Sequence, residues 1–258
     1  MPLSLQDLQI KQVKNVITAN PSILDLAAKF GLSEKDLINA TVDYNLGPYS
    51  NDIYKKIETR FALLINNFID GSWNQQRFIA VAELLKKIPV QPTRVLDIGY
   101  GIIEDYHRTL EKFTLELLLV DKYKSAQAFG DAFCSSENLK LSFAEADLDQ
   151  MQAILPTDSF DLYILLDSLE HCEHSSDALK MLIQHSGPQS SFILSLPVCE
   201  KILAHSIAWE TKKDLFSWLE IHGLIIQEAI EVFPNKEVDL FSRNLSELSD
   251  VIILAKSL

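Results

Sequence analysis

Basic residues are scarce in this chain: 23 Lys and Arg stand against 36 Asp and Glu, a formal net charge of -13 over 258 residues. Nucleic-acid backbones are held by basic patches, and no run of Lys or Arg offers one, so no nucleic-acid partner is expected. The same deficit disfavours an anionic membrane surface. No apolar run is long enough to span a bilayer, and no signal-peptide pattern is read. Cysteine is rare too. Cys134, Cys172 and Cys199 are odd in number and widely spaced, which excludes a disulfide framework and points to reduced thiols in a cytoplasmic setting. Asn39-Ala-Thr41 and Asn244-Leu-Ser246 match glycosylation sequons, as cytosolic chains often do by chance. Repeats and low-complexity segments are absent. Glycine is sparse as well, eight in all, so two of them one residue apart stand out.

Those two close the segment Val95-Leu96-Asp97-Ile98-Gly99-Tyr100-Gly101. A short apolar run closed by a turn signal reads as a buried strand. Glycines there let the backbone approach a ligand and take dihedrals that a side chain forbids. Ile102 to Phe113 has helical spacing, so the turn aims a helix N-terminus at whatever sits above it. Further apolar runs end in acids: Leu115 to Val120 before Asp121, Leu139 to Ala146 before Asp147, and Phe160 to Leu166 before Asp167. In a parallel sheet with right-handed crossovers these ends share one edge, where ligands bind at the switch in strand order. An acid after the second strand can accept from both hydroxyls of a ribose, and one after the third from an adenine amino group. Four acids suit a ligand bearing positive charge better than a pyrophosphate. A dinucleotide-binding dehydrogenase wants Gly-x-Gly-x-x-Gly, and Glu104 stands at the last position, so that reading is set aside.

From Arg94 to Leu258 the chain resembles the class I S-adenosylmethionine-dependent methyltransferases. The resemblance rests on Asp97-Ile-Gly99-Tyr-Gly101, Asp121, Glu145-Ala-Asp147, and Phe160-Asp161-Leu-Tyr-Ile-Leu-Leu-Asp167-Ser-Leu-Glu170-His171. Ser195-Leu196-Pro197 follows after a fifth strand, Trp209 to Gly223 as a late helix, Leu224 to Val232 as a sixth strand, and Val251 to Ala255 as a seventh. It implies an α/β fold: a Rossmann-like seven-stranded, mostly parallel sheet with an antiparallel last strand. It also implies S-adenosylmethionine as cofactor, held by Asp97, Gly99, Tyr100, Gly101, Asp121, Lys122, Asp147, Leu148, Asp167 and Ser168. The sequence departs from the family's pattern at two places. The third glycine of the turn is Ile103, and the small residue usual between the glycines is Tyr100.

Residues 1–90 form an N-terminal helical appendage, read as a lid or dimerisation segment, with the cofactor-binding domain over 91–258. Leu5 to Thr18 has helical spacing, Asn20-Pro21-Ser22 starts a second helix, and Ser33 caps a third after a stop at Gly31. A loop at Asn45 to Ser50 precedes longer helices near Asp52 to Ile69 and Gln75 to Ile88. We expect these helices to pack over the cofactor edge of the sheet, with a homodimer as one arrangement. The segment Ile23 to Ser33 has the cadence of a helix-turn-helix, but the helix after it carries Glu34 and Asp36 against Lys35. A packing hairpin is the better reading. Phe61, Leu64, Ile65 and Phe68 share helical spacing and read as core.

The family's chemistry implies in-line transfer of a methyl group from a sulfonium to a small-molecule acceptor at O, N or C, with the protein supplying placement. An acceptor that must lose a proton needs a base. His171, after the fourth strand, is the catalytic candidate, and the competing reading is that it packs on the cofactor or holds a loop. His205 is a second candidate for the acceptor pocket, or a surface histidine at a helix start. Tyr44, Tyr49 and Tyr54 line a cationic ligand or pack a hinge. His171-Cys172-Glu173-His174 contains metal-ligand types, but one helical turn rarely supplies more than two ligands and no partner pair has suitable spacing. No metal is expected. Two other functions remain open: a non-catalytic relative of the fold that binds or regulates, and a methyltransferase acting on a protein or peptide.

Overall fold

The computed structural model describes residues 4–47, 51–199, 205–235 and 249–257. Tyr49 and the sequon at Asn244 lie outside them. The N-terminal part is helical, as its spacing predicts: α1 (Leu5–Ala19), α2 (Ser22–Ala28), α3 (Glu34–Leu46), α4 (Ile57–Asn67) and α5 (Trp73–Leu85). Ser33 caps α3 by accepting from the Asp36 N–H, and Asp36 in turn accepts from the Ser33 N–H. Such reciprocal caps satisfy donors that a helix start leaves orphaned. The long helix expected from Asp52 breaks into a 3-10 turn, Asn51–Lys55, before α4. In the expected apolar stripe, Phe61, Leu64 and Ile65 are buried, but Phe68 caps α4 and is 47% exposed.

β1 (Arg94–Ile98), β2 (Glu116–Asp121), β3 (Ser142–Glu145), β4 (Leu162–Leu166), β5 (Ser191–Val198), β6 (Leu224–Val232) and β7 (Ser249–Ser257) form one seven-stranded sheet in the order β3-β2-β1-β4-β5-β7-β6. The first five pair in parallel, and β7 runs antiparallel between β5 and β6. Alternate strand residues serve opposite faces. Val95, Leu117, Leu119, Ile164 and Ile193 face the core shared with α1–α5, α6 (Asp105–Glu111) and α7 (Lys124–Glu137). Leu96, Ile98, Val120, Leu165 and Leu194 face α8 (Ser175–His185) and α9 (Lys212–Ile221). Burial on both faces is why these strands read as continuous apolar runs. β3 is shorter than the expected Leu139 to Ala146, because it is the sheet's edge strand and has no buried residue to mark its limits.

The helix-turn-helix cadence is resolved by packing. Leu37, Thr41, Val42 and Asn45 of α3 are buried, and α3 lies against α4. Asn45 and Asn66 exchange side-chain amide bonds of 3.0 and 2.9 Å between the two helices. Thr41, the hydroxyl residue of the first sequon, is fully buried and donates to the Leu37 carbonyl. Among the described residues no helix is long and apolar enough to cross a membrane.

Candidate functional site

Strand order reverses between β1 and β4, and the turns after both meet there. Gly99 has φ 76° and Gly101 φ 63°, a region that disfavours any side chain. At Gly99 the restriction is double, since a Cβ there would stand 2.1 Å from the Ser168 hydroxyl oxygen. That hydroxyl donates to the Ile98 carbonyl at 2.8 Å, tying the β4 turn to β1. Asp97 is fully buried beneath the turn. Its Oδ2 accepts from the Tyr106 hydroxyl at 2.7 Å and meets His107 Nε2 at 2.8 Å. His107 Nδ1 accepts the Glu104 N–H at 2.9 Å, so the ring proton sits on Nε2 and is donated to Asp97. The acid thus fixes the start of α6 against β1. Tyr100 and Ile103, the two departures from the family pattern, are both absorbed by the core. The Tyr100 ring lies 5.6 Å from Phe143, and burial pushes its phenol well above the usual range.

Asp121, at the end of β2, accepts the Gly101 N–H at 3.3 Å and the Tyr123 N–H at 2.9 Å. The turn after β1 and the acid after β2 are therefore joined, as the sequence order predicts. A third partner is unexpected. Arg60 of α4 is 1% exposed, and its Nη1 lies 3.6 Å from Asp121 Oδ2. The same guanidinium donates to the Gly101 carbonyl at 3.1 Å, the Tyr54 carbonyl at 2.9 Å and the Ser125 hydroxyl at 3.2 Å. The rings of Tyr54 and Tyr123 flank it, with centroids 5.9 and 5.7 Å from its carbon. Burial raises the Asp121 pKa above the usual carboxylate range, and Arg60 is the largest influence opposing that. The cation that Tyr54 meets is thus the protein's own arginine. Tyr44 joins through a 3.3 Å contact between its hydroxyl and that of Tyr54.

Beyond this clamp, the ends of β2 and β3 border an open basin of about 550 Å³ lined by Asp52, Lys55, Lys122, Tyr123, Glu145, Asp147 and Gln150. Asp147 accepts the Asp149 N–H at 3.2 Å and so starts the turn after β3, where Leu148 is buried. Lys122 and Asp147, both expected at the cofactor, lie together here.

The end of β4 gathers a different set. Asp167, with φ 47°, accepts from the Ser195 hydroxyl at 2.7 Å and is paired with Arg77 of α5. Ser195 also lies 2.5 Å from Asp250 of β7, which is fully buried. A hydroxyl has one proton, so it cannot donate to both carboxylates. Burial raises the Asp250 pKa, and Arg77, 3.8 Å away, is the largest influence opposing that. Glu170 is 1% exposed, and burial lifts its carboxyl to about 8. His171 Nε2 lies 3.9 Å from Glu170 Oε1, and its ring centroid lies 5.0 Å from that of His205. His205 is brought there by backbone pairing: Ser206 N–H donates to the Glu170 carbonyl at 2.7 Å, and Trp209 bridges to Val198. Burial depresses the His205 imidazole to about 4. Arg60, Arg77, Glu170 as a site member, and Asp250 were not singled out from sequence. For Arg60 and Arg77 the one signal was a charged residue inside an apolar, periodic run, whereas Glu170 stood within the quoted motif after the fourth strand.

No protein-family model and no curated relative matches this chain. Solved structures do. An N-methyltransferase from Bradyrhizobium japonicum, solved with S-adenosylhomocysteine, is 13% identical with a TM-score of 0.58, covering 79% of this chain and 97% of that one. A magnesium protoporphyrin IX methyltransferase from Synechocystis, solved with S-adenosylmethionine, is 16% identical with a TM-score of 0.53, covering 86% and 97%. A protein described as a [4+2]-cyclase is 13% identical with a TM-score of 0.57, covering 73% and 84%. The chain has the class I methyltransferase-like fold, the expected seven-stranded sheet with its N-terminal helices included.

Proposed function

We propose that the chain binds S-adenosylmethionine across the ends of β1, β2 and β3 and transfers its methyl group to a small-molecule acceptor at O, N or C. The observation that carries this reading is the bond between Gly101 and Asp121, which sets a left-handed glycine turn beside an acid at the switch in strand order. Two solved neighbours of the same fold hold this cofactor or its demethylated product. The residues fit it in outline. In the proposal Asp121 accepts from the ribose, Asp147, Leu148 and Lys122 border the adenine, and Gly99, Tyr100 and Gly101 shape the backbone cradle. Asp167 and Ser168 close the methionine end, and Asp97 supports the turn from below. Arg60 is the misfit, because it engages Asp121 and the Gly101 carbonyl, so its guanidinium gives way or is shared when the ribose arrives.

When bound, the cofactor supplies an activated methyl group, and the chain contributes placement. Holding donor and acceptor in line is worth up to about 7–11 kcal/mol in favourable cases. For an acceptor that must lose a proton, His171 is the proposed base. The acidic balance of the chain supports a small-molecule acceptor in the cytoplasm over nucleic acid or a membrane.

A second reading has its own observation. Arg60 satisfies the ribose acid internally, as expected of a relative that keeps the fold without the reaction, and a neighbour described as a cyclase shows that the fold admits other work. Calorimetric titration with S-adenosylmethionine and S-adenosylhomocysteine separates the two. Micromolar binding that is lost in Asp121→Ala supports the enzyme. Absence of binding to either ligand, in the native chain and in Arg60→Met alike, sinks it.

A further inference from the structure

We infer that Glu170, His171 and His205 form a binding site for one divalent transition-metal ion of the zinc, cobalt or manganese class. The ligand atoms of these three side chains all lie within 4.8 Å of one another. Two imidazoles and one carboxylate with positions left open are a donor set that such ions take in preference to calcium or magnesium. A metal–nitrogen bond of about 2.0–2.1 Å puts neighbouring ligands roughly 3–3.5 Å apart, so rotation of the side chains closes the set around an ion.

Two atoms argue for a ligand independently of this proximity. Glu170 Oε2 and His205 Nδ1 are both buried without a hydrogen-bond partner among the described residues, on side chains 1% and 9% exposed. A buried acceptor without a partner is unfavourable, and one cation bridging these atoms satisfies both. The scaffold holds them independently of any ion. Glu170 and His171 sit in the 3-10 turn Leu169–His171 directly after β4. Ser206 donates to the Glu170 carbonyl at 2.7 Å, which fixes the second segment against the first. Sequence spacing concealed this set, because its third member comes from beyond β5 and not from the His171–His174 run. His174, the other histidine of that run, is exposed at the start of α8.

A ligating His171 gives its lone pair to the ion, so the base role proposed above for His171 belongs to the metal-free protein alone. The test reads metal directly and is independent of methyl transfer. The full-length protein is stripped with a chelator, then titrated with Zn²⁺ by calorimetry and with Co²⁺ by visible absorption. The expected result is one ion per chain, with cobalt bands typical of a nitrogen and oxygen set. Affinity should fall at least roughly tenfold in both Glu170→Gln and His205→Gln, since even outer-shell changes cost about that much. His174→Gln should bind as the native chain does. Circular dichroism identifies any variant that fails to fold, and the other then decides. No saturable site, or affinity unchanged in a folded Glu170 or His205 variant, overturns the inference. Equal loss in His174→Gln does the same, by showing a surface site.

Discussion

A buried guanidinium needs its donors matched, and Arg60 finds a carboxylate, two carbonyls and a hydroxyl. From sequence it was one more polar residue on a helix, because nothing local distinguishes an arginine that faces solvent from one that faces an acid across the fold. Removing it strands Asp121 in a buried place. Breaking a buried pair in this way costs about 3–5 kcal/mol, or roughly 6–20 °C in Tm for a chain of this size. Arg60→Met is therefore expected to melt early in differential scanning fluorimetry. If the proposed function holds, ribose hydroxyls replace the lost donors, and S-adenosylmethionine raises the Tm of the variant by more than that of the native chain. Gly99 was legible, by contrast, since its role follows from local geometry alone. Gly99→Ala places a methyl group against Ser168 at 2.1 Å in a left-handed backbone. Strain of this type is worth about 1–3 kcal/mol before the clash is counted. Ser168→Ala in the same chain should recover only part of it, because the Ser168 Cβ would still stand 3.1 Å away. Urea unfolding of the single and double variants checks both statements.

Among elements, the parallel strands and their acids were the most readable, since burial on both faces writes itself as an apolar run. Edges and short helices were not. The helix read from Ile102 begins only at Asp105, because Ile102 and Ile103 are pulled into the core and the start waits for the Glu104–His107 bond. Glu104 carries a pH dependence at that start. It is buried, burial pushes its carboxyl from 4.5 up to about 8, and its strongest opposing partner is the Asn67 amide of α4. Below pH 4.5 the acid is protonated folded or unfolded, and it adds no slope. Between 4.5 and 8 the folded chain keeps a proton that the unfolded chain releases, so stability falls as pH rises, and above 8 the penalty is complete. Glu104→Gln keeps an acceptor for Asn67 and removes the titration. The variant is expected to match the native chain near pH 4 and to exceed it by on the order of a few kcal/mol at pH 9. Urea titrations at the two pH values measure this, and parallel curves for both proteins would contradict it.

At the scale of the whole molecule, the helical segment and the sheet share one interior. Val13, Ile17 and Leu37 belong to the same buried cluster as Leu119, Phe129, Ile164 and Ile252. α5, inside the segment read as an appendage, lies against β6 and β7, and its Arg77 engages Asp167 and Asp250 at the sheet's edge. Composition shifts at the proline-flanked link before β1, which is why a boundary near residue 90 reads so readily from sequence. Packing does not shift there. Domains fold alone when each has its own core, and here one face of the sheet keeps only α6 and α7 as cover without the N-terminal helices. A fragment of residues 91–258 would expose that face together with two carboxylates deprived of Arg77 and one deprived of Arg60. We expect it to bind a hydrophobic dye, to unfold without a cooperative transition, and to bind no S-adenosylmethionine. Adding residues 1–90 in trans should restore cooperativity if the shared core alone is responsible. A fragment that melts sharply by itself would show instead that the helices are a true lid, separable from the domain they cover.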